Sequence, residues 1–122
     1  MRSLLSLLAL GGTAALIAVP AAAHHGWGGN TQDIELTGTV VTPVDLSGPH
    51  GTMQIRDADG TVWDITLAPA PRTVRAGLNE GVLAVGAQVT LSGKRNDDAS
   101  KFEVKTRRVT HEGKNYDVYP PQ

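Results

Sequence analysis

The sequence contains no cysteine and, among its 122 residues, only two Trp, two Tyr and one Phe. The lack of cysteine excludes disulfides, thiolate nucleophiles, iron–sulfur clusters and thiolate zinc sites. A small folded domain must therefore be held together by its apolar core and its backbone hydrogen bonds. An excess of charge of one sign is also missing, because the net charge is −1 at pH 7. A chain this close to neutral has no electrostatic reason to bind nucleic acid.

The motifs of common catalytic sites are missing as well. The sequence has no G-x-S-x-G, no H-E-x-x-H and no glycine loop followed by a phosphate-binding lysine. Beyond residue 23 the only serines are Ser47, Ser92 and Ser100, and none has an evident base beside it. We therefore expect a protein that is not an enzyme.

The one long apolar run lies at the N-terminus and is typical of a secretory signal. Arg2 supplies a positive start, residues 4–19 are apolar apart from Ser, Gly and Thr, and Ala21-x-Ala23 is a small-residue cleavage site. The run is short for a membrane span, which favours cleavage over a retained anchor. We predict a signal peptide over residues 1–23, a periplasmic or secreted location, and no stable membrane insertion after cleavage. Ten bases and twelve acids then remain, a net charge of −2.

From Ile34 onward apolar and polar residues alternate, which predicts strands. Ile34, Leu36 and Val40 share one face of the first strand, and Gly38 in its middle indicates a bend or bulge. Residues 42–51 are predicted to form a loop. The inward positions of the next strands are Met53 and Ile55, then Trp63, Ile65 and Leu67, then Val89 and Leu91, then Phe102 and Val104. The alternation slips between residues 106 and 109, which predicts a bulge there.

The order of elements is three strands, a short helix over residues 71–76, two strands and a short closing strand. Pro71 near the start and Gly77 just past the end delimit the helix. This order predicts an all-β fold, a small five- to six-stranded OB-like Greek-key barrel with one short helix between strands three and four. A small open β-sandwich is the competing architecture. We predict a flexible arm at residues 24–33, the barrel at 34–119 and a tail at 120–122.

The predicted N-terminus of the mature protein carries the sharpest chemical signal. Cleavage after Ala23 leaves His24 as the first residue, with its α-amine and ring nitrogen as neighbouring donors, and His25 adds a second imidazole. An α-amine has a pKa near ~8 and an imidazole one near ~6.5, so both lose protons near neutrality. Nitrogen-rich, roughly planar donor sets suit Cu(II) best. We predict a metal site of His24, His25 and His50, with copper favoured. Cleavage a residue or two earlier would move both histidines along the chelate.

The alternative is a binding module with no metal role. In it, the barrel face around Arg56, Asp64 and Thr66 holds a small ligand, a peptide or an envelope partner. A third interpretation is a stress-induced envelope protein with a structural role. His111 borders a glycine turn and is expected to be solvated. The sequence does not indicate an oligomeric state.

Several short motifs along the predicted mature chain resemble those of one family. The chain has an Ala-His-His start at residues 23–25, an L-T-G-T-V strand at 36–40, Pro49-His50 at the end of the first loop and Trp63 in the third strand. It is similar in these positions to a family of small exported bacterial proteins of unknown function, of the domain of unknown function 6152 type. The family pattern has Asn before Pro-His and Ser before the helix proline, where this chain has Gly48 and Ala70. The resemblance implies that His24, His25 and His50 belong to a shared pattern, and it brings no known activity.

Overall fold

The computed structural model describes residues 28–120, which form six strands and one short helix. Alternating buried and exposed side chains make most of the strands amphipathic, as the period-two pattern predicts. The elements in chain order are β1 (Asn30–Asp45), β2 (His50–Arg56), β3 (Val62–Pro69), α1 (Ala70–Arg75), β4 (Gln88–Asn96), β5 (Glu103–His111) and β6 (Lys114–Asp117).

The strands form one sheet in the order β3-β2-β1-β4-β5-β6, and a pairing between β3 and β5 closes it into a barrel. That closing pair is parallel and joins Asp64, Ile65 and Thr66 to Glu103, Val104 and Lys105, whereas all other pairs are antiparallel. Strands β1 to β5 form the closed barrel, and β6 is a sixth strand that pairs with β5. The predicted OB-like barrel, with one short helix between strands three and four, is confirmed.

The first strand is longer than the sequence pattern predicted. It begins at Asn30 rather than Ile34, so residues 30–33 of the predicted arm belong to the barrel. It also continues to Asp45, into the predicted loop. Residues 31–33 are exposed, and they are extended because they pair with β4 and because Thr31 bonds to Asp97. These residues form a strand because they hydrogen-bond across the sheet. Since all three are polar and exposed, the sequence shows no alternation of apolar and polar residues here.

Two glycines permit backbones to approach closely inside the sheet. A Cβ on Gly38 would lie 2.6 Å from the Arg56 carbonyl oxygen, where β1 changes partner from β4 to β2. A Cβ on Gly93 would overlap the Lys105 carbonyl oxygen. Gly93 faces the predicted bulge, because Ser92 and Gly93 pair with Arg108 and Thr106 and leave Arg107 as the extra residue.

Different side-chain contacts cover the two ends of the barrel. At one end α1 packs under the sheet, and the buried Thr73 hydroxyl donates to the Ala68 carbonyl oxygen at 2.8 Å. At the other end Trp63 donates its ring N–H to Asp57 and lies under the Arg95 guanidinium, 4.9 Å from the ring centroid. Phe102, predicted inward, is 42% exposed and meets Trp63 edge-on, because β5 begins one residue later, at Glu103.

Within residues 28–120, no helix is long and apolar enough to cross a membrane.

Candidate functional site

The predicted metal ligands divide between described and undescribed residues. His24 and His25 lie outside the described residues. His50 is the first residue of β2, half-buried and opposite Pro69 at the end of β3. Among residues 28–120, no group of three His, Asp or Glu side chains is placed to hold a metal ion.

The described start of the chain and His50 lie at different ends of the barrel. Asn30 pairs with Asn96, and the Gly29 carbonyl oxygen accepts from the Asp97 N–H at 2.8 Å, so the chain enters beside the β4–β5 turn. His50 lies at the end where β1 finishes and α1 begins. A site that joins His24 and His25 to His50 in one chain therefore has to bridge this separation, and it stays a prediction.

A small hollow lies on the outer surface of β1, β2 and β3, which we call the β1–β2–β3 face. Its volume is about 350 Å³. Six of its eight lining residues are polar, and the eight are Thr42, Asp45, Thr52, Met53, Gln54, Asp64, Ile65 and Thr66. Volumes from about 300 Å³ upward are typical of small-molecule sites in proteins. The hollow is therefore large enough for a small ligand or for one side chain of a larger partner.

Three side chains form a hydrogen-bonded row across this face. The Thr42 hydroxyl donates to Gln54 Oε1 at 2.8 Å, and Gln54 Nε2 donates to Asp64 Oδ1 at 2.8 Å. The row follows the strand register, because Gln54 pairs with Thr42 on one side and with Asp64 on the other. Both ends of the Gln54 amide are thus engaged, and the Asp64 carboxylate is held in place with lone pairs still available.

The two carboxylates of the hollow have no cationic partner. No Lys, Arg or His nitrogen of the described residues lies within 4.0 Å of Asp45 or Asp64. The Ser47 hydroxyl and N–H both donate to Asp45 Oδ1, and these bonds hold the pKa of Asp45 below its ordinary value. Because the bonds favour the charged form, Asp45 is ionised at neutral pH. The hollow therefore presents negative charge beside hydroxyl groups.

The sequence located part of this site. Asp64 and Thr66 line the hollow, as the alternative function required, whereas Arg56 does not line it and pairs with Val62 further along the hairpin. The sequence missed Thr42 and Asp45, which it assigned to a loop. Register shifts in the β1–β2 pairing between Val40 and Asp45 set their positions. No local sequence signal specifies those shifts.

His111 is more constrained than its position beside a turn suggested. Its side chain is 19% exposed, and its ring Nδ1 lies 2.9 Å from the Gln88 carbonyl oxygen. The ring borders a second, larger hollow of about 760 Å³ between the 82–87 segment and the β5–β6 turn. No local sequence pattern predicted this contact, because Gln88 is 23 residues away.

The described residues form a small OB-type barrel, and its β1–β2–β3 face carries a hollow lined in part by two carboxylates, Asp45 and Asp64. The chain belongs to a family of unknown function, DUF6152, whose family model matches residues 13–105. The match ends within β5, so it includes the β1–β2–β3 face and excludes the β5–β6 turn. No curated protein and no solved structure matches the chain.

Proposed function

We propose that this protein is an exported, non-enzymatic binding module whose β1–β2–β3 face holds a small ligand bearing an ammonium or similar cationic group. The observation that carries the proposal is that Asp45 and Asp64, in a hollow of about 350 Å³, have no cationic partner among residues 28–120. Hydrogen bonds between an ionised acceptor and a cationic donor are about twice as strong as neutral ones. A cationic ligand therefore gains more from this hollow than a neutral ligand of the same shape.

The row of side chains supports the proposal by orienting one carboxylate. Gln54 Nε2 occupies Asp64 Oδ1, so Oδ2 is the oxygen left for a ligand. The Thr52 and Thr66 hydroxyls line the same hollow and supply further donors and acceptors. The site is open to solvent, and exposed ion pairs contribute only up to about 1 kcal/mol each. We expect weak binding, with a Kd on the order of 1 mM for a simple diamine.

The test is an NMR titration of the mature protein with putrescine (1,4-diaminobutane), with amide shifts of β1, β2 and β3 as the readout. Matched titrations use 1,4-butanediol, which has the same length and no charge. We expect shifts around residues 42–54 and 64–66 with the diamine and none with the diol. Asp64→Asn should weaken diamine binding roughly fivefold, since it removes one exposed ion pair.

The control for net charge is Asp59→Asn. Asp59 lies exposed in the β2–β3 turn, outside the hollow, so this variant loses the same charge without changing the site. Equal weakening by Asp59→Asn and Asp64→Asn would show that the diamine responds only to overall charge and would overturn the proposal. Equal shifts with the diol would do so too.

A second candidate function is copper binding by the processed N-terminus. It rests on the Ala21-x-Ala23 cleavage sequence followed by His24 and His25, which together would offer an amine and two imidazoles. His50 is the proposed third ligand from the folded barrel. Such a site would sequester or hand over copper in the periplasm or outside the cell.

Native mass spectrometry of the exported protein with and without Cu(II) tests this second function. A start at His24 with one retained copper, lost in His24→Ala and weakened in His50→Ala, would support the site. Because the described chain begins at the other end of the barrel, His50→Ala is the sharper variant. Retention unchanged by His50→Ala would limit the copper site to the N-terminal residues. A different N-terminus, or copper uptake unaffected by His24→Ala, would overturn the site altogether.

A further inference from the structure

The larger hollow, which we call the His111 groove, is formed by the outer surface of β4 and β5, the 82–87 segment and the β5–β6 turn. Its volume is about 760 Å³. Its apolar lining includes Val82, Ala84 and Ala87. His111 and Glu112 also line it. The groove lies outside the proposed diamine site and shares no lining residue with it.

The hydrogen bond of His111 fixes which ring nitrogen is free. A carbonyl oxygen can only accept, so the 2.9 Å contact with Gln88 requires a hydrogen on Nδ1. In the neutral ring Nε2 then carries the lone pair. Histidines that bind metals almost always donate their other N–H to a carbonyl or a carboxylate, which sets this tautomer and orients the ring. His111 is therefore preorganised to offer Nε2 as a ligand.

The carboxylate of Glu112 is positioned beside that lone pair. Glu112 Oε1 lies 3.7 Å from His111 Nε2, which is too long for a hydrogen bond. Metal ions such as Zn(II) bind both imidazole nitrogen and carboxylate oxygen at about 2.0–2.2 Å. The two donor atoms are thus separated by little more than a shared ion requires. The Glu112 side chain is 85% exposed and free to rotate the remaining distance.

The backbone of Glu112 is unusual for its residue type. Its φ is 49°, in the left-handed region, and no other non-glycine residue among residues 28–120 has a positive φ. Tight hairpin turns favour Asn, Asp or Gly at such positions. Glu112 therefore makes the turn less stable than Asn, Asp or Gly would, and backbone strain of this kind clusters at functional sites. A role for its carboxylate would explain why glutamate occupies this position.

We propose that His111 Nε2 and the Glu112 carboxylate bind one divalent first-row transition-metal ion at the edge of the His111 groove. Two protein donors leave the remaining coordination positions to water or to donor atoms of a molecule in the groove. Divalent copper binds such nitrogen and oxygen donors most strongly and serves as the probe. The site shares no residue with the diamine site or with the predicted N-terminal copper site.

The test is Cu(II)-induced broadening of amide NMR signals in the mature protein, read residue by residue. We expect selective loss of signals from residues 88–90 and 110–113 at substoichiometric to equimolar copper. Any copper at the N-terminus broadens signals near Gly28 instead, so the two sites have separate reporters. His111→Gln should abolish the groove effect, whereas His50→Gln, which changes the other described histidine, should leave it intact.

Glu112→Gly separates a ligand from a residue that merely shapes the turn. Glycine accepts positive φ without strain, so this variant should raise the melting temperature while it weakens broadening in the groove. Glu112→Asp, which keeps a carboxylate, should retain part of the effect. Groove broadening that is absent in the wild type, that survives His111→Gln, or that is unchanged in Glu112→Gly would overturn the proposal.

Discussion

The two outer faces of the barrel treat their carboxylates differently. On the surface of β1, β4, β5 and β6, Asp33 pairs with Lys94 at 2.6 Å and Asp117 pairs with Arg108 at 2.6 Å. On the β1–β2–β3 face, the partners of Asp64 and Asp45 within the described part of the chain are the neutral Gln54 amide and the Ser47 donors. Asp33 and Asp117 thus have cationic partners, whereas neither Asp45 nor Asp64 has one among residues 28–120 and both remain available to an external cation.

The candidate site is distinguished from the other charged surface by whether its carboxylates have cationic partners. The number of carboxylates does not distinguish the two surfaces. The carboxylates Asp33, Asp117, Asp45 and Asp64 are all exposed. Exposed ion pairs add little to stability on either face. A carboxylate already paired with a lysine must lose that partner before it binds a ligand. Asp64 pays no such cost, because its partner is neutral and occupies only one oxygen.

The largest expected effect is on stability, and it comes from disrupting the close approach of β4 and β5 at Gly93. These two strands carry Lys94 and Arg108, the cations of the two ion pairs. In Gly93→Ala the new Cβ would overlap the Lys105 carbonyl oxygen, and a backbone atom of β5 cannot move aside without disturbing the bulge. We expect a loss of about 3 kcal/mol or more in the free energy of unfolding, measured by urea denaturation.

Two further glycine variants calibrate that prediction. Gly38→Ala, whose Cβ would meet the Arg56 carbonyl oxygen at 2.6 Å, should destabilise the protein somewhat less and act through β1 and β2. Gly48→Ala, with its nearest atom at 3.7 Å and no positive φ, should change stability by less than about 0.5 kcal/mol. Equal tolerance of all three would contradict the proposed close approach.

A lysine placed on the β1–β2–β3 face should give its carboxylates a cationic partner, like those that Asp33 and Asp117 have on the other face. Thr66 lines the hollow and lies on the same side of β3 as Asp64, so Thr66→Lys supplies an internal cation. We expect loss of putrescine binding, at least fivefold, with little change in unfolding free energy. Thr90→Lys, on β4 and outside the hollow, is the control for added charge. Equal loss in both variants would show that long-range repulsion is responsible.

Much of the fold could be predicted because the strands that make the core alternate strictly. Met53, Ile55, Trp63 and Ile65 are all buried, as their spacing in β2 and β3 required. The bulge at Arg107 was visible as a break in that alternation. The start of β1 was not visible, because residues 31–33 are polar and exposed and become strand only through their β4 partners.

The candidate sites were harder to predict, since they depend on contacts between distant segments. Alternation placed Asp64 outward, but its connection to Thr42 through Gln54 requires the actual register of three strands. His111 depends on a carbonyl oxygen of β4, and any residue type at position 88 would provide one. Histidines in a row, as at residues 24–25, are conspicuous in a sequence, whereas a histidine held by a backbone atom is not.

Two buried threonines inside the barrel also differ in whether their hydroxyl groups have hydrogen-bond partners. Thr73 bonds to the Ala68 carbonyl oxygen, whereas the Thr106 hydroxyl is buried with no partner among the described residues. Thr106→Val keeps the shape and removes the unsatisfied group, so it should raise the free energy of unfolding by up to about 1 kcal/mol. Thr73→Val should lower it by a similar amount. Destabilisation by both would indicate that Thr106 has a partner.

The smallest expected effect is on the acid side of the stability curve. The hydrogen bond from Lys94 and its positive charge lower the pKa of Asp33 in the folded protein. A carboxyl group whose pKa is lower folded than unfolded stabilises the protein above its unfolded pKa, near ~3.9. That contribution is lost as the pH falls through the folded value. Asp33→Asn should therefore flatten the fall in melting temperature below about pH 4. Asp59→Asn removes an exposed turn carboxylate that has no ion pair with any residue from 28 to 120, so it should leave the slope closer to that of the wild type. A slope unchanged by Asp33→Asn would mean that the bond to Lys94 does not persist in solution, and the two faces would then differ less than their geometry indicates.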